Sequence, residues 1–176
     1  LQQIGNDELT EILVSDNAST DGTQDFVEEM QKTYRNLHYR RNEVNVGAEA
    51  NRHCAIRASR GEYVLVAGDD DYFADGSLLG VLGRLIQYRG RALFHLRRAR
   101  EPHRVHTGSG IAEYIRMVGY HMTWIGGIVW RRELYPLIRE PHKYDYTRLP
   151  QVYMQLEMLR KNPQFVILYG MFMTEG

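Results

Sequence analysis

Residues 62–71 read Glu-Tyr-Val-Leu-Val-Ala-Gly-Asp-Asp-Asp, and this stretch decides the fold. The apolar run within Glu62–Ala67 predicts a short buried strand, and the three carboxylates of Asp69–Asp71 follow almost directly after it. Neighbouring carboxylates repel one another, so a hard divalent cation or a set of backbone N–H donors must offset their charge. The alternative is a solvated acidic loop ahead of a helix that begins near Ser77. Because a strand fixes the position of the triplet, we favour a ligand-binding role.

Outward from this stretch, short β-rich runs alternate with helical periods along the chain. Strands are predicted at Glu11–Ser15, Leu37–Arg40, Glu62–Ala67, Ala92–Leu96, Trp124–Trp130 and Phe165–Tyr169. Helices are predicted after Ser19–Thr23, over Ala48–Ser59, from Ser77 to Gly90, over Ser109–Val118 and over Gln151–Arg160, with a helical turn at Arg132–Ile138. This alternation predicts an α/β fold with a largely parallel sheet flanked by helices. Ligands bind such sheets at the carboxyl ends of the strands, so we expect Asp16-Asn17 and Asp69–Asp71 on the same rim.

Composition and charge exclude several classes of protein. The 176 residues carry 22 Lys+Arg against 22 Asp+Glu, which gives no support for nucleic-acid binding by a polycationic surface. No apolar run approaches the roughly twenty residues that a membrane span needs. The acidic residues 1–31 contain no Lys or Arg, so no signal peptide is predicted. With Cys54 as the single cysteine, we expect a cytoplasmic protein, with association at the inner face of the membrane left open.

Arginine is concentrated in residues 84–104, which carry seven arginines and one acid. Arginine forks match phosphate groups well, but a solvated helix face is the simpler interpretation. His103 and His106 have a spacing seen in metal sites, yet two histidines in a loop are more often incidental than metal ligands. The chain has neither a G-x-G-x-x-G nor a G-x-x-x-x-G-K-[ST] motif, so the common dinucleotide-binding and P-loop interpretations lack their signatures.

Two blocks of sequence, taken together, match the motif pattern of a known family. Residues 11–23 (EILVSDNASTDGT) and 42–78 (NEVNVGAEANRHCAIRASRGEYVLVAGDDDYFADGSL) resemble the family 2 nucleotide-sugar glycosyltransferases with the GT-A fold. The resemblance is greatest to the bacterial branch with abequosyltransferase-like enzymes of surface polysaccharide assembly. It is strong over about residues 9–80 and weaker over residues 109–170.

The resemblance implies a donor site for a nucleotide-diphosphate sugar. The family's two acids after the first of these strands match Asp16 and Asn17, ahead of a Gly-Ser-Thr-Asp-Gly-Thr segment that here begins with Ala18. Asn51 matches the helix beside the nucleotide. The family's Asp-x-Asp motif falls on Gly68-Asp69-Asp70, which implies Asp69 at the ribose. Asn17 offers a donor and an acceptor, which suits cytosine, although its carbonyl alone also serves uracil.

The same motif implies a metal cofactor. Asp70 matches the family's ligand for Mn²⁺ or Mg²⁺, with Asp71 supporting it. Such a metal bridges the donor's diphosphate and neutralises the departing phosphate.

The resemblance also implies an inverting transfer to a glycan or lipid-linked glycan, which needs a carboxylate base. The family's Glu-Asp pair before a late helix falls on Pro150-Gln151, where no acid stands. Asp145 and Glu157 are the nearest candidates, and we prefer Asp145 because rim loops carry such groups. Ile125–Gly127 matches the family's glycine-containing acceptor segment.

We expect one glycosyltransferase domain, with residues 1–80 as its nucleotide-binding half and residues 81–176 as its acceptor half. The family's fold opens with a strand that this sequence does not show, and Leu1–Ile4 resemble the end of the helix that follows that strand. An N-terminally truncated form of the fold is therefore predicted. The alternative function is therefore a catalytically inactive remnant that binds nucleotide or serves as a scaffold.

Overall fold

The computed structural model describes residues 3–99 and 104–175, which form two compact units. The first unit is Leu1–Gly61 and the second is Glu62–Gly176. Gln3 and Ile4, which the sequence predicts at the end of a helix, lie in turns, while Leu1 and Gln2 lie outside the described residues.

The first unit is built on two parallel strands. Its elements are β1 (Ile12–Asp16), α1 (Thr23–Gln31), β2 (Leu37–Arg41) and α2 (Ala48–Ala58). The backbone N–H of Thr23 donates to the Asp21 carboxylate (3.0 Å) where α1 begins, and α2 packs against β1. Asp16 and Arg41 are partners in the β1–β2 register, so both stand at the carboxyl end of this strand pair.

The second unit contains two further sheets. Its elements are β3 (Tyr63–Leu65), β4 (Asp71–Phe73), α3 (Ser77–Gln87), β5 (Leu93–Arg98), β6 (Val105–Ser109), α4 (Ile111–Val118), β7 (Ile128–Arg131), α5 (Pro150–Lys161), β8 (Gln164–Gly170) and β9 (Met173–Glu175). Five strands form one sheet in the order β3-β7-β5-β8-β6, and β4 pairs with β9.

Helices cover both faces of the five-stranded sheet. On one face Phe94 and Leu96 of β5 pack in a cluster with Val81 of α3. On the other face α5 contacts β5, and the ring of Tyr114 in α4 meets that of Phe165 edge-on, with 5.0 Å between ring centres. Strand β8 is consequently buried at every position after its first residue. The predicted α/β fold with flanking helices is confirmed.

The strand directions differ from the largely parallel sheet that the sequence predicts. The β1–β2 and β5–β8 pairs are parallel, whereas β3–β7, β5–β7, β6–β8 and β4–β9 are antiparallel. A parallel crossover takes a dozen or more residues. Only six residues separate β5 from β6, so the chain reverses direction there.

Short elements account for the other differences. The predicted strand Trp124–Trp130 shortens to β7, because Ile125–Gly127 forms a 3₁₀ turn ahead of it. Strands β4, β6 and β9 are not predicted from the sequence, and the predicted turn after β7 is a 3₁₀ helix over Arg132–Leu137. None of the helices in the described part of the chain combines the length and the hydrophobicity that crossing a bilayer requires.

Candidate active site

The carboxylate of Asp16 is fully buried at the end of β1 and is held by three donors. Its Oδ1 accepts the backbone N–H of Ser19 (2.7 Å), and its Oδ2 accepts Nη1 of Arg41 (2.9 Å) and the hydroxyl of Tyr39. These hydrogen bonds, those of Ser19 foremost, lower the pKa of Asp16 to about 2. Asp16 therefore stays ionised and fixes Arg41 and the turn that follows β1.

That turn requires one residue in the left-handed backbone conformation. Ala18 has a φ of 64°, a conformation that costs an L-residue roughly 1–2 kcal/mol and that glycine adopts freely. The glycine expected here from the family pattern is thus explained by geometry, and this chain tolerates alanine in its place.

The side chain of Asn17 connects this turn to the loop before α2. Its Oδ1 accepts Nδ2 of Asn42 (3.0 Å) and the backbone N–H of Val46 (3.0 Å), while its Nδ2 donates to Oδ1 of Asn45 (2.8 Å). Oδ1 of Asn45 also accepts the backbone N–H of Gly47 (2.9 Å). One amide therefore fixes the conformation of residues 42–47.

Asn51 supports the same network from α2. Its Nδ2 donates to the backbone carbonyl of Ser15 (2.8 Å), and its Oδ1 accepts the Ser15 hydroxyl (2.8 Å) and Nδ2 of Asn42 (2.9 Å). The structure thus brings together three predicted nucleotide-binding residues, Asp16, Asn17 and Asn51. Sequence reasoning missed Asn42 and Asn45 as members, although the density of asparagine in residues 42–51 was a usable signal.

Asp69 and Asp70 lie in the turn between β3 and β4, and Asp71, the third acid of the triplet, is the first residue of β4. Asp69 and Asp70 are exposed, while Asp71 is half-buried and its Oδ2 accepts the backbone N–H of Gly68 (3.1 Å). Within residues 3–99 and 104–175, no basic side chain forms an ion pair with these three carboxylates. The local fold therefore leaves their mutual repulsion uncompensated.

The predicted acceptor segment lies directly beside this triplet. A Cβ at Gly126 would come within 2.8 Å of Oδ2 of Asp71 and 3.3 Å of Nε1 of Trp124. The indole ring of Trp124 lies over Gly127, where a Cβ would approach Cζ3 at 2.8 Å. Trp124 remains about a third exposed (36%), so it presents an apolar surface next to the carboxylates.

The residues of the triplet fit a hard divalent cation. Exposed carboxylate oxygens without a basic partner are the donors that Mg²⁺ and Mn²⁺ prefer, and these ions use one or two carboxylates together with substrate phosphates. Asp69 and Asp70 supply such oxygens, and Asp71 has a second oxygen besides the one that accepts from Gly68.

The two candidates for the base differ in environment. Oδ2 of Asp145, in the 3₁₀ turn Asp145–Thr147, lies 2.9 Å from Nδ1 of His142, and its side chain is about a quarter exposed (26%). Glu157 is buried in α5 and pairs with Arg160 (2.6 Å). Asp145 is therefore the more accessible carboxylate.

Gln151 stands where the family pattern expects an acid. It is buried, and its Nε2 donates to the backbone carbonyl of Thr123 (2.6 Å), just before Trp124. Gln155 similarly holds the carbonyl of Met122 (2.9 Å). The start of α5 therefore fixes the segment that carries Trp124. Elsewhere His106 pairs with Glu113 (3.0 Å), and His103 lies outside the described residues.

Comparison with known proteins identifies the class of this chain. The family described as Glycosyl transferase family 2 matches residues 1–164, so the chain belongs to that family. Over 69 residues the chain is 41% identical to the abequosyltransferase RfbV of Salmonella typhimurium, a match that covers 39% of this chain and 21% of that protein. It is 37% identical over 70 residues to a poly(ribitol-phosphate) beta-glucosyltransferase of Bacillus spizizenii, covering 39% of this chain and 11% of that protein.

Solved structures show the fold. S. aureus TarS in complex with UDP matches with a TM-score of 0.71 at 18% identity, over 93% of this chain and 50% of that one. TarS in complex with UDP-GlcNAc matches with a TM-score of 0.67 at 18% identity, over 94% of this chain and 50% of that one. These likenesses confirm the predicted GT-A architecture. The chain spans half or less of the length of the relatives it matches.

Proposed function

We propose that this chain provides the catalytic machinery of a metal-dependent, inverting glycosyltransferase that moves a sugar from a nucleotide-diphosphate donor to a glycan or lipid-linked glycan. The observation that carries the proposal is the triplet Asp69–Asp71. Its carboxylates lie uncompensated beside the segment of Trp124, in a chain of Glycosyl transferase family 2. The names of the relatives, an abequosyltransferase and a glucosyltransferase, support the reaction class.

On the donor side, Asp16, Asn17 and Asn51 serve the nucleoside. The buried carboxylate of Asp16 acts mainly by holding Arg41 and the turn in place, because its oxygens already accept three hydrogen bonds. Asn17 retains one N–H of its amide for a base edge, since Nδ2 carries two hydrogens and donates one to Asn45. Asp69 is assigned to the ribose hydroxyls.

Asp70 would hold Mn²⁺ or Mg²⁺, with Asp71 as the supporting carboxylate. A bound divalent cation supplies neutralisation of the negative charge that develops on the leaving diphosphate. In this arrangement, the diphosphate of a bound UDP or CDP would lie next to the triplet. TarS was solved with UDP and with UDP-GlcNAc, which supports a nucleotide-sugar donor.

The chemical step is a displacement at the anomeric carbon of the donor sugar. The acceptor hydroxyl oxygen forms the new glycosidic bond, and the bond from the anomeric carbon to the diphosphate oxygen breaks with its electron pair leaving on that oxygen. Asp145 takes the proton of the hydroxyl, which is the role of a general base. His142, 2.9 Å away, orients the carboxylate. Trp124 offers a stacking surface for the acceptor.

A binding experiment with a turnover readout tests this function. Mn²⁺-dependent binding of UDP and CDP is measured by calorimetry for the unaltered chain, Asp70→Asn and the matched control Asp75→Asn, an exposed acid outside the triplet. We expect Asp70→Asn to lose the metal dependence and Asp75→Asn to keep it. Equal affinity with and without metal in all three proteins would refute the metal site. Catalytic activity is measured in a separate assay, as the release of sugar from UDP- or CDP-sugars.

A second function is favoured by one observation. Gln151, buried and bonded to Thr123, occupies the place of the family's acidic pair. An inactive nucleotide-binding protein would bind UDP or CDP with metal yet transfer no sugar to glycan or lipid-linked acceptors.

We place the active enzyme in the cytoplasm, at the inner face of the membrane when its acceptor is lipid-linked.

A further inference from the structure

Two arginines share one aromatic ring at the carboxyl end of the β5–β8 strand pair. The guanidinium carbon of Arg104 lies 4.3 Å from the centre of the Tyr169 ring, and that of Arg97 lies 5.9 Å from it. Tyr169 itself is buried in β8. Both distances are within the range of cation–π attraction, so the one ring holds both positive charges.

The fold imposes this arrangement. Arg97 is the register partner of Tyr169 in the parallel β5–β8 pair, and the backbone N–H of Tyr169 donates to the carbonyl of Arg104 (2.9 Å). The two arginines therefore flank Tyr169 from neighbouring segments. Arg97 is anchored further, since its Nη1 donates to the carbonyl of Met117 in the last turn of α4.

The two charges have no acidic partner in the described part of the chain. Elsewhere arginines are commonly paired, as Arg60 is with Glu11 (3.1 Å) and Arg89 with Glu62 (2.7 Å). Among residues 3–99 and 104–175, no carboxylate forms an ion pair with Arg97 or Arg104, and the guanidinium of Arg104 makes no hydrogen bond. Two cations held by one ring, with N–H donors to spare, match a ligand that carries at least two negative charges.

We propose that Arg97, Arg104 and Tyr169 form a phosphate-binding surface, the Arg97–Arg104 surface. Guanidinium forks bind phosphate oxygens in a bidentate manner, and two of them suit a diphosphate or two neighbouring phosphates. The donor's diphosphate is assigned to Asp70, so this surface receives a phosphate carried by the acceptor. That assignment to the acceptor rests on the proposed function, whereas phosphate binding itself does not.

Metal-free binding of inorganic pyrophosphate tests the surface. In EDTA the acidic triplet repels pyrophosphate, so calorimetric binding reports on cationic sites alone. We expect Arg104→Gln to lower the affinity by about tenfold, as the loss of a charge-assisted pair does. Arg104→Lys, which keeps the charge and loses the fork, should fall between Arg104→Gln and the unaltered chain.

The matched control is Arg98→Gln. Arg98 is exposed and lacks an acidic partner among the described residues, but successive side chains of a strand point to opposite faces, so Arg98 lies on the other face from Arg97. We expect Arg98→Gln to change pyrophosphate affinity less than twofold. An equal loss in Arg98→Gln and Arg104→Gln would overturn the proposal, because it would show attraction by net charge alone.

A second arm separates a soluble phosphate from a lipid headgroup. Co-sedimentation compares vesicles of phosphatidylcholine with vesicles that also contain phosphatidylglycerol. The proposal is supported if Arg104→Gln loses binding in either arm and Arg98→Gln does not. Loss of pyrophosphate binding indicates a soluble phosphate, and loss of anionic-vesicle binding indicates a lipid headgroup. Absence of binding in both arms overturns it. Metal-dependent UDP or CDP binding should be unchanged in Arg104→Gln, so the failure of this proposal is distinguishable from failure of the donor site.

Discussion

The side chains of Asn17 and Asn45 are joined by a 2.8 Å hydrogen bond whose direction is fixed by a third group. Oδ1 of Asn45 also accepts the backbone N–H of Gly47, so Asn45 can only be the acceptor and Asn17 only the donor. An aspartate at position 17 has no N–H to give. The amide at this position is therefore required by the loop of residues 42–47, independently of any contact with a nucleobase.

Substitution Asn17→Asp separates these two roles. It places a carboxylate oxygen against Oδ1 of Asn45, and we expect the free energy of unfolding to fall by about 1–2 kcal/mol, measured by urea denaturation. It also removes the donor that suits cytosine, so the ratio of CDP to UDP affinity should fall by about tenfold in direct titration.

The variant Asn45→Ala is the matched control, since it removes the same hydrogen bond and leaves Asn17 intact. An unchanged CDP to UDP ratio in Asn45→Ala, together with a lowered ratio in Asn17→Asp, supports a base contact by Asn17. A similar fall in both variants would show that Asn17 acts only by positioning the loop.

Ala18 offers a test of backbone strain. Its φ of 64° is unfavourable for alanine, whereas glycine loses more chain entropy on folding. The first effect is the larger, so Ala18→Gly should raise the free energy of unfolding by roughly 0.5–1 kcal/mol. The control is Ala50→Gly in α2, which should lower it by about 1 kcal/mol. A loss in Ala18→Gly as large as that in Ala50→Gly would contradict the strain argument.

The buried Asp16 predicts a specific sensitivity to acid. Hydrogen bonds from Ser19 and Tyr39 and the charge of Arg41 hold its pKa at about 2, below the ordinary 3.8. The stabilisation is present above the ordinary pKa and is lost as the pH falls through about 2. The stability difference between the unaltered chain and Asp16→Asn should therefore shrink from pH 5 towards pH 2. A stability difference for Asp16→Asn that stays constant over this pH range would count against the assignment.

The sequence predicts those parts of the structure that depend on local patterns. Every helix predicted after Ser19 is present, and Pro150 opens α5, where its fixed φ suits the first helical position. Of the three strands missed, β4 and β9 are three residues each and exist only because distant segments pair with each other. No local periodicity encodes that pairing.

In the candidate site too, residues with a local sequence signal are predicted and residues that depend on distant contacts are not. Asp16 and the triplet stand out because acids directly follow strands, which is a local signal. The roles of Asn42 and Asn45 depend on hydrogen bonds to Asn17, more than twenty residues away in sequence. The contact between Gly126 and Asp71 depends on tertiary packing and leaves no mark in the sequence beyond the glycine itself.

As the proposed general base, Asp145 should be the carboxylate whose loss slows sugar transfer most. A general base contributes about 10²–10⁴-fold to a rate, so Asp145→Asn should lower kcat by at least about a hundredfold while KM for the donor stays within about twofold. The control is Glu157→Gln, which removes the buried pair with Arg160 and should leave kcat nearly unchanged. Both are measured as sugar transfer at saturating UDP- or CDP-sugar, with Mn²⁺-dependent nucleotide binding as a check on folding. If Glu157→Gln lowers kcat by the larger factor while binding is retained, the proton goes to Glu157 and the proposed role of Asp145 is wrong.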